Sequence, residues 1–297
     1  ISILKFYVFC LKKRGNTMSI EVPEAHILAE QMKKEIIGKQ IKSYNLHDYE
    51  RLQKIGFLNK DIKEFELLID CKITSIISRG NLIRVILENE MNLLIGPEYG
   101  GRVLYHKDNK NIPDKIHLKI EFDDDTILTI RLTGMGLIYA VKNVDLEHSY
   151  LYKRDFSDVL SPLEENFTSK NFAELLKTMK RGIKSILVGK DAILVGLSNS
   201  AFQDILYRAK IHPKVKGSYL NEQQRKRLFE SIKTVINERI RLGGKFQFVD
   251  LYGNKGKYVP AMGSNMKIKT CIDCDSVIEK LNVGGGQVYY CPHCQAE

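Results

Sequence analysis

IKSILVGKDAILVGLSNSAFQDILYRAKIHP, residues 183–213, reads as a helix, a double turn over Val195–Ser198, and a second helix, with Gly196 permitting the turn. Ser198 or Asn199 has the side chain to cap the second helix, which would leave its first backbone N–H groups facing an anion. The same pattern also suits an ordinary helical hairpin, and this stretch alone does not choose between the two. Downstream, Asn221 with Gln224 has the spacing of a capping box. Leu228, Ile232, Val235, Ile236 and Ile240 mark one buried face that ends at Gly243-Gly244. Arg225, Lys226, Arg227, Lys233, Arg239 and Arg241 are expected on the other faces of that helix.

The last 27 residues hold four of the six cysteines, as Cys271-x2-Cys274 and Cys291-x2-Cys294 separated by 16 residues. That is the spacing of a four-cysteine zinc site, with Gly284-Gly285-Gly286 turning the chain between two strands. Four thiolate ligands leave no open position for a substrate. One structural Zn2+ would hold together a segment too short to bury its own core. Free thiols or a redox pair would not account for the paired spacing. Cys10 and Cys71 lie far apart in apolar surroundings and read as free thiols, the usage of a reducing compartment.

Length and composition narrow the class. The chain has 297 residues, about twice a usual single domain, and 43% hydrophobic residues, enough for proper cores. No run reaches the roughly 18 apolar residues of a membrane-spanning helix. The net charge of +10 is unevenly placed: residues 1–176 carry 25 basic and 26 acidic side chains, residues 177–297 carry 21 and 10. A surplus confined to one half fits either a generically basic soluble domain or one that grips a polyanion such as nucleic acid.

Before residue 149 the pattern differs. Ala25, Leu28, Met32 and Ile36 recur at helical spacing between Pro23 and Gly38. From about Lys72 to Tyr139 the period is two. Ile116, Leu118, Ile120 and Phe122 alternate with polar residues, Asp123-Asp124-Asp125 turns the chain, and Leu128, Ile130 and Leu132 alternate again. These are half-buried antiparallel strands of a sandwich or barrel-like layer, and the acidic turn reads as a solvated loop. Residues 149–170, around Ser161-Pro162, read as a linker. ISILKFYVFCL at the start is followed by Lys12, Lys13 and Arg14, the reverse of a secretory signal. Met18 is therefore expected to be the start, with 1–17 untranslated or a disordered extension.

Four stretches give the chain a likeness. MSIEVPEAHILAEQ, the helix–turn–helix of 183–213, the Gly243-Gly244 region through Gly256, and CIDC…VGGGQVYYCPHCQ resemble the formamidopyrimidine-DNA glycosylase/endonuclease VIII family, over essentially all of residues 18–297. The resemblance implies an α+β fold. Residues 18–148 would form an N-terminal antiparallel β-sandwich with flanking helices, 149–170 a linker, 171–262 a helix–two-turn–helix DNA-binding domain, and 263–297 a zinc-ribbon finger. It implies a DNA-repair glycosylase and abasic-site lyase that flips a damaged base from duplex DNA, removes it and cuts the backbone. Such a protein would act as a monomer in the cytoplasm at the bacterial nucleoid, with no membrane partner.

The resemblance also assigns residues. Lys184 and Asn199 match the lysine and asparagine that contact phosphates around the lesion. Glu21 matches the glutamate that acts as general acid on the sugar, and Pro23-Glu24 the next Pro-Glu pair, although Glu21 and Glu24 would equally suit the start of the first helix. The family's nucleophile is the amine of an N-terminal proline. An α-amine suits this chemistry because its pKa of about 7.7–8.0 leaves much of it neutral, whereas a lysine near about 10.4 is almost wholly protonated. Here Ile20 stands in the proline's place, preceded by Ser19, whose amine would serve only if methionine removal exposed it. Other positions depart too. Asn81 stands at the family's strand lysine, and TGMG replaces the Arg-Arg-Phe-Gly wedge, leaving Met135 to intercalate. Gly286 stands at the finger's arginine, with Gln287 beside it as a weaker substitute. Two functions are thus expected: a glycosylase or lyase of altered activity, or a non-catalytic DNA-binding protein of the same descent.

Overall fold

In the computed structural model, which describes residues 20–97, 100–133, 136–264, 266 and 268–296, the chain divides into two units. The first comprises Ile20, Glu24–Lys153 and Gln247–Gly256; the second comprises Glu21–Pro23, Arg154–Phe246 and the chain from Lys257 onward.

The first unit is built on helix α1 (Val22–Ile36), whose Ala25, Leu28, Met32 and Ile36 are buried, as their helical spacing requires. Gly38, at φ +83°, ends it in a left-handed conformation that costs glycine little. Strand β1 (Ile41–Leu46) and helix α2 (Tyr49–Lys54) follow, then β2 (Ile73–Arg79), β3 (Leu82–Leu87), β4 (Met91–Gly96), β5 (Arg102–His106), β6 (Leu118–Phe122), β7 (Ile127–Arg131) and β8 (Leu137–Lys142). They form two four-stranded antiparallel sheets, in the orders β1-β6-β7-β5 and β2-β3-β4-β8. One core joins both sheets, from Ile120, Phe122 and Ile130 of one to Ile76, Val85 and Leu93 of the other. In β6 the alternation is clean: Leu118, Ile120 and Phe122 are buried, and Lys119 and Glu121 half-exposed. The acidic turn is exposed yet occupied: Asp124 pairs with Lys39 at 2.7 Å, Asp125 with Lys42 at 2.8 Å, and Asp123 accepts from the Gln40 amide at 3.1 Å.

The return of Gln247–Gly256 to this unit has a simple cause. Phe248 and Leu251 are buried in its core, and Gln31 of α1 donates to Asp250 (3.0 Å) while accepting from the Leu251 amide (3.0 Å). The stretch 149–170 holds helix α3 (Tyr150–Asp155), and its Phe167 is buried in the core of the second unit.

The second unit contains α4 (Ser169–Thr178), the short α5 (Ile183–Leu187), α6 (Asn199–Ala209), α7 (Glu222–Arg241) and a hairpin of β9 (Glu279–Val283) and β10 (Gly286–Tyr290). Both halves of the Asn221/Gln224 capping box are present at the start of α7. Leu228, Ile232, Val235 and Ile236 are at most 1% exposed and share a core with Phe202, Ile205 and Leu206 of α6. Each such side chain contributes about 1.5–3 kcal/mol by leaving water, so this face holds the unit together. Arg239 departs from expectation: it is buried, not on the solvent face. No helix among the described residues is long and apolar enough to cross a membrane.

Candidate nucleic-acid interface and metal centre

The start of α6 is already occupied by a carboxylate. Ser198 caps the helix, its Oγ accepting from the Ser200 amide at 3.1 Å. Oε1 of Glu21 accepts from the Ser198 amide at 3.0 Å, from the Ser198 hydroxyl, and more distantly from the Ala201 amide at 3.4 Å. Of the N–H groups expected to face an external anion, that of Ser200 is taken by the Ser198 hydroxyl and that of Ala201 by Glu21, whose negative charge suits the positive end of the helix.

Glu21 is wholly buried, and its other oxygen forms an ion pair with Arg239, itself 2% exposed. Burial alone would raise the carboxyl's pKa, but Arg239, Lys245 and the hydrogen bond from Ser198 outweigh it and hold the group below the ordinary carboxylate range. Glu21 is thus a carboxylate at neutral pH. Local structure supplies both cations. Arg239 lies one turn beyond Val235 on the buried stripe of α7. Gly243 and Gly244, at φ +70° and +92°, then reverse the chain and leave the buried Lys245 beside Glu21.

Lys184 and Asn199 meet the hairpin. Lys184, 8% exposed, donates from Nζ to the Val283 carbonyl at 2.6 Å. Asn199 donates from Nδ2 to the Gln287 carbonyl at 3.0 Å. The glycines between these acceptors make the approach feasible: a Cβ on Gly286 would lie 3.1 Å from Lys184 Nζ, and one on Gly284 3.5 Å from its Cδ. Gly284 and Gly285, at φ +51° and +77°, form the two-residue left-handed turn that a tight hairpin requires. Burial lowers the Lys184 ammonium's pKa, with no carboxylate offsetting it among the described residues. An ammonium has three N–H donors, and a desolvated cation of this kind is stabilised by an anion.

Beyond the hairpin, the Sγ atoms of Cys271, Cys274, Cys291 and Cys294 all lie within 4.8 Å of one another, with Cys271–Cys294 at 3.8 Å and Cys274–Cys291 at 3.5 Å. Tetrahedral zinc with sulfur at about 2.3 Å needs sulfurs about 3.8 Å apart, so the four thiolates fit that ion. The hydrophobic cluster here is small, with Tyr207, Met262, Cys271 and Cys291 as its buried members, the condition under which metal binding supplies the folding energy.

Of the residues singled out from sequence, Lys184 and Asn199 both meet the hairpin, Lys184 at the Val283 carbonyl and Asn199 at the carbonyl of Gln287, whose side chain is exposed. The four cysteines converge. Glu21 sits in the second unit; Glu24, also wholly buried, lies in the first turn of α1 and belongs to the first unit. Asn81 is half-buried in the turn between β2 and β3. Ser19 and Met135 lie outside the described residues. Sequence reasoning missed Arg239 and Lys245 as partners of Glu21, although Leu228, Ile232, Val235 and Arg239 fall on one helical stripe.

Comparison with known proteins agrees with this architecture. The family model of the formamidopyrimidine-DNA glycosylase N-terminal domain matches residues 20–133, and that of the formamidopyrimidine-DNA glycosylase H2TH domain matches residues 159–249. A formamidopyrimidine-DNA glycosylase of Bacillus cereus is 26% identical over 280 residues, 93% of this chain and 98% of the relative. That of Listeria innocua is 24% identical over 279 residues, 93% and 99% of the two chains. Among solved structures, Lactococcus lactis Fpg in complex with DNA containing an abasic site superposes with a TM-score of 0.79 at 23% identity, covering 93% of this chain and all of that one. MutM in complex with DNA containing carbocyclic 8-oxo-G gives 0.78 at 24% identity. Two domain models in the family's order, a matching fold and a convergent four-cysteine cluster place the chain in the formamidopyrimidine-DNA glycosylase/endonuclease VIII family.

Proposed function

We propose that this protein binds damaged duplex DNA and removes damaged bases as a glycosylase and abasic-site lyase, in the cytoplasm at the nucleoid. The observation that carries the proposal is Lys184: a desolvated cation beside a glycine turn, with the Asn199 amide on the same hairpin and no carboxylate offsetting the lysine's burial among the described residues. A backbone phosphate is an anion of suitable charge and size. Relatives solved with abasic and 8-oxo-G DNA suggest the substrate class. The four thiolates would hold one structural zinc, which fixes the hairpin carrying Val283, Gly286 and Gln287.

In this reading Glu21 acts as a carboxylate. With Arg239 and Lys245 against it, it has no proton to give at neutral pH, so it serves by placing negative charge rather than as the general acid the resemblance implies. Base removal by an amine would make a covalent imine with the sugar carbon; removal by water would not.

A second reading is favoured by the same carboxylate. Glu21 is fully engaged as a helix cap and ion-pair partner, which is what a binding protein descended from the family would retain for stability alone. Incubating the protein initiated at Met18 with duplexes carrying an abasic site or an oxidised base, with borohydride present, separates the two. A covalent adduct supports the lyase, and base release without an adduct a water-based glycosylase. Binding with neither leaves the non-catalytic reading.

A further inference from the structure

Helix α6 carries a polar stripe of which the phosphate site uses only Asn199. Asn199, Gln203 and Tyr207 are spaced four apart, so they share one face of the helix. Each meets the finger. Asn199 Nδ2 donates to the Gln287 carbonyl (3.0 Å), Gln203 Oε1 accepts from the Tyr289 amide (2.8 Å), and Tyr207 Oη lies 3.2 Å from Cys271 Sγ. Gln203 is held in place by donating its Nε2 to the Asn199 carbonyl at 2.8 Å. The rungs are commensurate: four helical residues rise about 6 Å and two strand residues about 6.8 Å. Gln287 and Tyr289 are two apart on β10, and two further on stands Cys291, a member of the cysteine cluster. The third contact crosses to Cys271 of the other cysteine pair, which shares the cluster with Cys291.

We propose that the Tyr207 hydroxyl donates a hydrogen bond to the metal-bound Cys271 thiolate, making Tyr207 a positioning residue for the metal centre and the last rung of a ladder that registers the finger on α6. A phenol keeps its proton at neutral pH and a coordinated thiolate has none, so the direction of donation is fixed. Both groups are buried, Tyr207 at 5% and Cys271 at 1% exposure, so water does not compete for the bond. A donor to a ligating sulfur draws off charge, favours the bound metal over a proton, and holds the ligand in place. Loss of such outer contacts typically weakens metal binding by about 10–100-fold. The proposal rests on the four cysteines holding a metal.

Y207F removes one oxygen and leaves the ring to pack. The full chain, stripped of metal and reconstituted, is examined as the cobalt form for its sulfur-to-cobalt charge-transfer band, and as the zinc form for transfer of zinc to a competing chromogenic chelator. The expected result is a shifted band and zinc affinity about 10-fold lower or more in Y207F, with near-wild-type values in Q203L, which breaks the middle rung without touching sulfur. Superimposable cobalt spectra and zinc affinity within twofold would overturn the hydrogen bond. Equal effects in Q203L and Y207F would also overturn it, assigning the change to general loosening. If the wild-type protein takes up no cobalt, the metal site itself fails, an outcome distinguishable from the others.

Discussion

Replacing Glu21 with glutamine keeps a hydrogen-bond acceptor at the start of α6 but removes the charge. The amide oxygen still accepts from the Ser198 amide and hydroxyl, so little is lost there. What changes is the environment of Arg239, at 2% exposure, and Lys245, at 4%: two cations that the carboxylate helps to compensate. Exposed ion pairs are worth about 0–1 kcal/mol, whereas removing one partner of a buried pair costs about 3–5 kcal/mol because the other charge stays buried. The larger range applies here. Urea unfolding followed by circular dichroism at pH 7.5 is expected to show E21Q destabilised by about 3–5 kcal/mol. Adding R239M should recover part of that loss, since the uncompensated guanidinium goes with it.

The pH dependence has a definite sign. The folded pKa of Glu21 is depressed, so its stabilisation is fully present above the unfolded value of about 4.3 and is lost as pH falls through the folded value. The gap between wild type and E21Q should therefore stay constant from pH 7.5 to 5 and narrow only in stronger acid. A gap below about 1 kcal/mol at pH 7.5, the range of an exposed pair, would refute the buried-pair argument. So would a gap that closes between pH 7 and 6.

Three further outcomes are expected. K184M should weaken binding to all duplex sequences alike and reduce the magnitude of the salt slope by about 0.9, because a phosphate contact carries no base information; titration against two unrelated sequences checks this. G286A places a methyl 3.1 Å from Lys184 Nζ at a φ that any residue adopts, so it should displace the amine and weaken DNA binding by about tenfold, about 1.4 kcal/mol, with an unchanged circular dichroism spectrum. Removing the metal with a chelator should unfold the β9–β10 hairpin and abolish binding, both reversed by added zinc, as followed by circular dichroism and anisotropy.

Much of the fold was legible because its signals are local. The period-two alternation of Leu118, Ile120 and Phe122 does what a half-buried strand demands. The Asn221/Gln224 box is a contact between residues three apart. The paired cysteines carry their own geometry. What stayed hidden depends on distant partners. No pattern near Glu21 shows that its carboxylate fills the start of a helix 177 residues later, or that Arg239 and Lys245 stand against it. Arginine on a helix is usually at the surface, and that habit outweighed the stripe on which Arg239 lies. The membership of Gln247–Gly256 in the first unit was likewise unreadable, because it depends on Gln31 meeting Asp250 and Leu251 from the far end of the chain.

The decisive measurement is the salt dependence of binding, by fluorescence anisotropy, between the zinc-loaded full chain and a duplex carrying an abasic-site analogue. If Lys184 and Asn199 grip phosphate, log affinity will fall linearly with log salt, and K184M will lessen the slope by about one contact. Affinity indifferent to salt between about 50 and 200 mM, or a K184M slope identical to wild type, would contradict the phosphate site and the DNA-directed function built on it.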